Sequence, residues 1–228
     1  MSERIFRIAI DGPSGAGKST IAKAVAKRLG IDYIDTGAMY RAIGLKMLAK
    51  GLPMEESPAL TKMLAETEID FDRGNVFLDG EIVNDRIRTQ EVSKAASDCS
   101  ALGMVRTKLV ELQRKMGQAK SVIMDGRDIG TVVLPEAELK IFLTASAQAR
   151  ARRRLLELES KGVASSFEEV LQDIEYRDVQ DSSRAAAPLK AAEDAVLVDT
   201  SELDFEQSLA LLAELVVTRL APEGEREK

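Results

Sequence analysis

An apolar run, Ile5-Phe6-Arg7-Ile8-Ala9-Ile10, leads into DGPSGAGKST, and a stretch with Ile21, Val25 and Leu29 at i, i+4 and i+8 follows at once. A strand pattern joined to a helix pattern by a glycine-rich turn constrains this chain more than any other feature. From Gly12 to Ser19 the spacing is G-x-x-x-x-G-K-S, the phosphate-binding loop pattern. Gly12, Gly15 and Gly17 permit backbone angles that a side chain forbids and allow close approach. The span Gly12, Pro13, Ser14, Gly15, Ala16, Gly17, Lys18, Ser19, Thr20 can turn its backbone N–H groups inward as an anion-binding nest. The helix that follows aims its positive dipole end at the same anion. Lys18 is placed to reach β- and γ-phosphates, and the Ser19 hydroxyl to ligate Mg²⁺. The plainer reading is a glycine-rich turn with a solvated lysine. The flanking strand and helix patterns favour a loop that binds a nucleoside triphosphate.

The rest of the chain repeats this alternation. Strand patterns fall at Ile5–Ile10, Tyr33–Asp35, Val122–Met124, Ile141–Leu143 and Ala195–Val198. Helix patterns fall at Lys18–Leu29, Ala38–Lys50, Met104–Gln118, Gln148–Ser160, Phe167–Val179 and Phe205–Leu220. Apolar strands alternating with helices predict an α/β fold with a parallel sheet covered on both faces. Ligands of such sheets collect beyond the carboxyl ends of the strands. Asp11–Ser19, Asp35–Arg41 and Asp125–Asp128 all follow strands directly. Within Glu68–Arg88, turn signals at Arg73-Gly74-Asn75 and Asp79-Gly80-Glu81 separate brief alternating runs. They predict a small antiparallel meander between the second and third parallel strands. The closing APEGEREK reads as a polar tail.

Composition removes whole classes of chemistry. The chain of 228 residues contains no histidine, which excludes Ser-His-Asp hydrolysis and histidine general-base catalysis. Cys99 is the sole cysteine, so a disulfide framework and a cysteine zinc site are excluded, and a reducing, cytoplasmic setting is expected. The net charge of −6 argues against a nucleic-acid coat. No run has the length of a membrane span, and the first residues lack an apolar signal stretch. Neither nucleic acid nor membrane is therefore expected as a partner.

Three further constellations carry charge suited to phosphate. In DTGAMYR, Thr36 can cap the following helix while offering its hydroxyl, and Arg41 lies in that helix's first turns. By itself this is equally a capped helix with a surface arginine. In SVIMDGRDIGTVVLP, Asp125 at a strand end is placed to hold Mg²⁺ through water. Arg127 and Asp128 then either address a second substrate or form a mutual ion pair. In RARRRLLELESKG, Arg150 and Arg154 share a helical face and Arg153 can pair with Glu157. That run is either a solvated face or an arginine-bearing lid over the phosphates. Downstream, Arg177, Asp181 and Arg184 stand at helical spacing, either as a surface triad or as a clamp on a transferring phosphoryl group.

Taken together, GPSGAGKST, DTGAMYR, IRTQEVSKAAS, DGRDIGTVV and RAAAPL resemble the bacterial cytidylate kinase family, collinearly from Ile5 to about Leu220. The resemblance implies the P-loop nucleoside monophosphate kinase fold, a five-stranded parallel sheet flanked by helices. It also implies a core at about 1–37, 95–148 and 185–228, an enlarged monophosphate-binding subdomain at about 38–94 and a mobile lid at about 149–184. Carried over by position, the contacts to cytidine monophosphate fall on Thr36, Arg41, Ser97, Arg106, Arg127, Asp128, Arg177, Asp181 and Arg184. Lys18, Arg127, Arg177 and Arg184 are the implied catalytic cations, Arg154 joins the loop in binding ATP, and Ser19 and Asp125 hold Mg²⁺.

The implied reaction moves the γ-phosphoryl group of ATP to CMP, and to dCMP, in a single cytoplasmic chain. The alternative is another small-molecule kinase of this fold, such as a UMP/CMP or adenylate kinase. A guanine-specific switch protein is disfavoured, because the Asn/Thr-Lys-x-Asp signature is missing.

Overall fold

Strands without polar residues need cover on both faces, and the computed structural model supplies it with helices. It describes residues 5–72, 74–160, 162–184 and 187–220. The elements run β1 (Arg7–Asp11), α1 (Lys18–Leu29), β2 (Asp32–Asp35), α2 (Thr36–Ala49), α3 (Pro58–Ala65), β3 (Ile69–Asp72), β4 (Asn75–Leu78) and β5 (Glu81–Ile82). Then come α4 (Gln90–Cys99), α5 (Gly103–Ala119), β6 (Val122–Gly126), β7 (Leu139–Thr144), α6 (Ala147–Ser160), α7 (Phe167–Ser183), β8 (Val196–Asp199) and α8 (Phe205–Leu220). A five-stranded sheet has the order β2-β6-β1-β7-β8. β1 pairs in parallel with both β6 and β7, and β7 with β8. From β1 the chain crosses to the edge strand β2, returns to β6 beside β1, and then crosses to β7 and β8 on the other side. The carboxyl end of β1 is thus the topological switch point, where ligands of open α/β sheets bind.

Two compact units emerge. One comprises the described residues up to Tyr33 and from Gly117 onward, the other Ile34–Met116. In the first, Ile8, Ile10, Ile123, Ile141 and Leu143 of the sheet pack with Ile21 and Val25 of α1 and Leu212 and Val216 of α8. α6 and α7 share a smaller cluster, in which Ala151, Val170 and Ile174 are buried. A capping box opens α7: Ser166 Oγ accepts from Glu169 N, and the Glu169 carboxylate accepts from Ser166 N.

In the second unit α2 packs on α4 so closely that a Cβ on Gly44 would lie 2.9 Å from Ala96 N. The expected meander is the three-stranded sheet β3-β4-β5, with Ile69 opposite Leu78 and Phe77 opposite Ile82. The Asp79-Gly80 turn has positive φ at both residues, 52° and 84°. Lys46 of α2 fixes Asp79 at 2.6 Å.

Several expectations need correction. Two helices, α3 and α4, occupy stretches read without regular structure; Ser57 and Thr89 cap them. Asp35, not Thr36, caps α2, accepting from Ala38 N at 2.8 Å, and Thr36 is the first, buried helical residue. Residues Ile129–Val133 form a π turn. Arg73 of the first turn signal, Ala185 and Ala186 of RAAAPL and the APEGEREK tail lie outside the described residues. Among the described residues no helix is long and apolar enough to cross a membrane.

Candidate active site

The glycine-rich turn leaves β1 at Asp11 and enters α1 at Lys18. Gly12 has φ 146°, and a Cβ there would stand 1.9 Å from the Leu143 carbonyl oxygen, so no side chain fits. Gly17, at φ 87°, is the N-cap residue of α1; no side chain caps that helix, and no acid lies in its first turn. Its first N–H groups are therefore matched by no protein carboxylate, as an anion site requires.

Lys18 is buried, and its Nζ donates to the Pro13 carbonyl at 2.7 Å. Burial, helped by the Arg127 charge, pushes its pKa down to about 7 against the pull of Asp125, Asp181 and Asp11. Ser19 Oγ donates to Asp125 Oδ2 at 2.6 Å, and Tyr33 Oη donates to Asp125 Oδ1 at 2.8 Å. Two hard oxygen donors thus stand side by side at the end of β6. Asp11 accepts from Ile129 N at 2.8 Å and Gly130 N at 2.7 Å, binding the π turn to β1. Burial raises the Asp11 carboxyl to about 6, with the Asp128 charge adding to the rise and the two N–H bonds opposing it.

The third group is an arginine cluster. Arg127 Nε donates to Asp181 Oδ2 at 2.6 Å, and Arg184 pairs with Asp181 Oδ1. Burial alone would raise the Asp181 carboxyl, but the charges of Arg127 and Arg184 hold it below the usual carboxylate range. The expected triad is therefore recomposed: Arg127 and Arg184 flank Asp181, while Arg177 turns to Asp173 at 3.0 Å. Asp128 is buried, and its carbonyl accepts from Val132 N and Val133 N at the start of the π turn.

The basic start of α6 also departs from expectation. Arg153, expected to pair with Glu157, instead donates to the carbonyls of Thr200 and Leu203. Arg154 takes Glu157 at 2.6 Å on the exposed face. Arg150 is buried and bonds to Asp178 and the Ser14 carbonyl.

In the second unit, Arg41 Nη2 pairs with Asp35 at 2.8 Å, and its Nε is buried without a hydrogen-bond partner. Arg106 is buried, with Nη1 at 3.5 Å from Tyr40 Oη. Ser97 is half-buried on α4, and its carbonyl accepts from Ser100 Oγ.

The structure thus brings Lys18, Ser19, Asp125, Arg127, Asp181 and Arg184 into one connected group and leaves Arg154 and Arg177 in pairs on their own helices. Sequence reasoning missed Asp11, Tyr33 and Asp178. Asp11 had a signal, a carboxylate at a strand end just before the loop; the other two become visible only through their long-range partners.

The comparisons with known proteins agree on one family. The cytidylate kinase family model matches residues 8–218. The cytidylate kinase of Caldicellulosiruptor saccharolyticus is 51% identical over 214 residues, covering 92% of this chain and 95% of that protein. That of Thermotoga neapolitana is 47% identical over 216 residues, covering 94% and 98%. Two crystal structures share the fold at low identity: an uncharacterized protein from Eubacterium ventriosum (TM-score 0.52, 12% identity, 93% of this chain and 98% of that one) and TT1252 from Thermus thermophilus (TM-score 0.51, 16% identity, 96% and 100%). With a family model spanning most of its length and relatives at about half identity, the chain belongs to the cytidylate kinase family.

Proposed function

We propose that the protein transfers the γ-phosphoryl group of ATP to CMP, and to dCMP, giving the nucleoside diphosphate and ADP. One observation carries the reading within this family. The buried Lys18 of the phosphate loop stands close enough to Arg127 and Asp181, the acid that Arg184 also grips, for their charges to act on it. A donor-phosphate cation and a cluster suited to the moving group are thus assembled together.

Phosphoryl transfer asks the protein for position and charge more than for covalent chemistry. The acceptor phosphate is already anionic, so no base is needed and the lack of histidine is no obstacle. An acceptor oxygen forms the new bond to the γ-phosphorus as the bridging oxygen to the β-phosphorus leaves with its electron pair on ADP. Lys18 and the loop N–H groups hold the donor phosphates. Arg127 and Arg184 offset the charge on the equatorial oxygens, and Asp181 orients both guanidinium groups. Arg177 and Arg154 join them by leaving Asp173 and Glu157, ion pairs weak enough at the surface to exchange. Arg41, with a buried Nε still available, grips the acceptor phosphate. Thr36, Ser97, Arg106 and Asp128 contact the nucleoside.

Ser19 and Asp125 fit Mg²⁺: they present adjacent hard oxygens and would hold it. When bound it supplies charge neutralisation between donor phosphates. Both nucleotides are handled by residues of one chain, so the monomer is the working unit, drawing on the cytoplasmic nucleotide pool.

A coupled assay of ADP release across CMP, dCMP, UMP and AMP tests the reading. Cytidine acceptors should lead. Cytosine offers an amine to the Asp128 carboxylate where uracil offers an oxygen, and such mismatches discriminate by roughly 10⁴-fold. Equal rates for UMP or AMP would favour a broader kinase of the same fold.

A further inference from the structure

Among the arginines of α6, Arg150 is the one turned wholly inward. It is 4% exposed. Its Nε donates to the Ala145 carbonyl at 2.8 Å and its Nη1 to the Ser14 carbonyl at 3.0 Å. Nη1 and Nη2 also grip the two oxygens of Asp178 on α7 at 2.9 and 2.5 Å. One guanidinium therefore joins the end of β7, the phosphate loop and α7. The first turn of α6 lies directly on the loop: a Cβ at Gly15 would stand 3.3 Å from the Arg150 Cβ.

The peptide between Ser14 and Gly15 is what this contact controls. A trans peptide is planar, with its C=O and N–H pointing opposite ways. Holding the Ser14 carbonyl on Arg150 therefore turns the Gly15 N–H away from α6. That N–H is one of the donors an anion-binding loop relies on. Asp178 matters because a guanidinium is a rigid fork, aimed only when two of its donors are fixed in its plane.

We propose that Arg150 and Asp178 are a positioning pair for the donor loop: Asp178 aims the guanidinium, and the guanidinium sets the Ser14–Gly15 peptide for phosphate binding. The inference rests on the reading of that loop as the ATP site. Asp178 stands three residues before Asp181, so one face of α7 holds both the loop anchor and the arginine cluster. Arg150 is then not a lid cation that touches phosphate.

The test compares wild type, Arg150→Lys, Asp178→Asn and the double variant, with ADP affinity by calorimetry and kcat and KM for each substrate. Each single change should weaken ADP binding and raise KM for ATP by about tenfold, the scale of one lost hydrogen bond to a charged group. KM for CMP should stay near wild type. The double variant should be no worse than the worse single one, because the pair acts as a unit. Wild-type donor affinity in Asp178→Asn would overturn the pair; an arginine that contacts phosphate directly predicts that outcome, since Asp178→Asn only releases it. Losses that multiply in the double variant would overturn it too. Melting curves check folding, and should Asp178→Asn fail to fold, preserved donor affinity in Arg150→Lys overturns the proposal by itself. A wild-type protein that binds no ADP strikes the reading of the loop instead.

Discussion

The phosphate loop and the α6–α7 helix pair hold charge in opposite ways. In the loop glycine φ angles provide the shape, and Lys18 Nζ rests on a carbonyl five residues back. At the helix pair two arginines are held from afar: Asp178 holds Arg150 from 28 residues away, and Asp181 holds Arg127 from 54. A turn that must bring its own N–H groups inward is dictated by local sterics. Ion pairs on helices are selected among equivalent neighbours by whatever the fold delivers. The first region should thus tolerate almost no change of shape, while the second should tolerate change in proportion to how deeply each pair is buried.

Gly12→Ala should have the largest effect. Its Cβ would strike the Leu143 backbone at 1.9 Å, where no flexible side chain can yield. We expect a stability loss of about 4 kcal/mol or more, read by thermal or urea unfolding. A soluble variant of near-normal stability would show the loop to be less constrained than its sterics demand.

Lys18→Ala comes next and separates shape from charge in the same loop. The fold should persist by circular dichroism. kcat/KM should fall by a factor on the order of 10² to 10³, about 3 kcal/mol of transition-state stabilisation.

Asp181→Asn moves the test to α7. It leaves Arg127 and Arg184 facing each other without their shared acid, a loss of about 2 kcal/mol, reduced from the fully buried case because Arg127 retains some exposure to water. The pH dependence carries the sign. Asp181 has a folded pKa below its ordinary 3.8. Its contribution is complete above that ordinary value and lost as pH falls through the lower, folded one. Acid unfolding of the wild type should steepen in that window, and Asp181→Asn should lack the steepening.

The smallest effect belongs to Arg154→Ala without nucleotide. The Arg154–Glu157 pair is exposed and three residues apart, so stability should change by about 0.3–0.5 kcal/mol. A larger loss would mean that the two arginines, 150 and 154, are less distinct than their burial indicates.

The same contrast explains what the sequence made legible. α1 and α8 were readable to the residue because their apolar periodicity is long and unbroken, and the five core strands because their apolar runs abut turns. α3, at eight residues, carries too little periodicity, although Ser57-Pro58 is a helix start in plain view. The side-chain partners were the least legible. Arg177 has an acid four residues before it and another four after; helical spacing permits both, with the acid-first order the better one. The fold brings Arg127 to Asp181, so Arg177 takes Asp173. Arg153 likewise lost Glu157 to Arg154 once the carbonyls of Thr200 and Leu203 came within its reach. Lys18, Ser19 and Asp125 lie close together because each sits at a strand end or helix start, where topology leaves little choice.

The measurement that tests the central claim most directly is a phosphorus NMR time course of the wild-type protein with ATP, CMP and Mg²⁺. The account predicts CDP and ADP appearing in equal amounts with no free phosphate ahead of them, and the same signals growing on the order of 10² to 10³ times more slowly with folded Lys18→Ala. Free phosphate accumulating with CMP unconsumed, or CDP forming at the wild-type rate without Lys18, would contradict it.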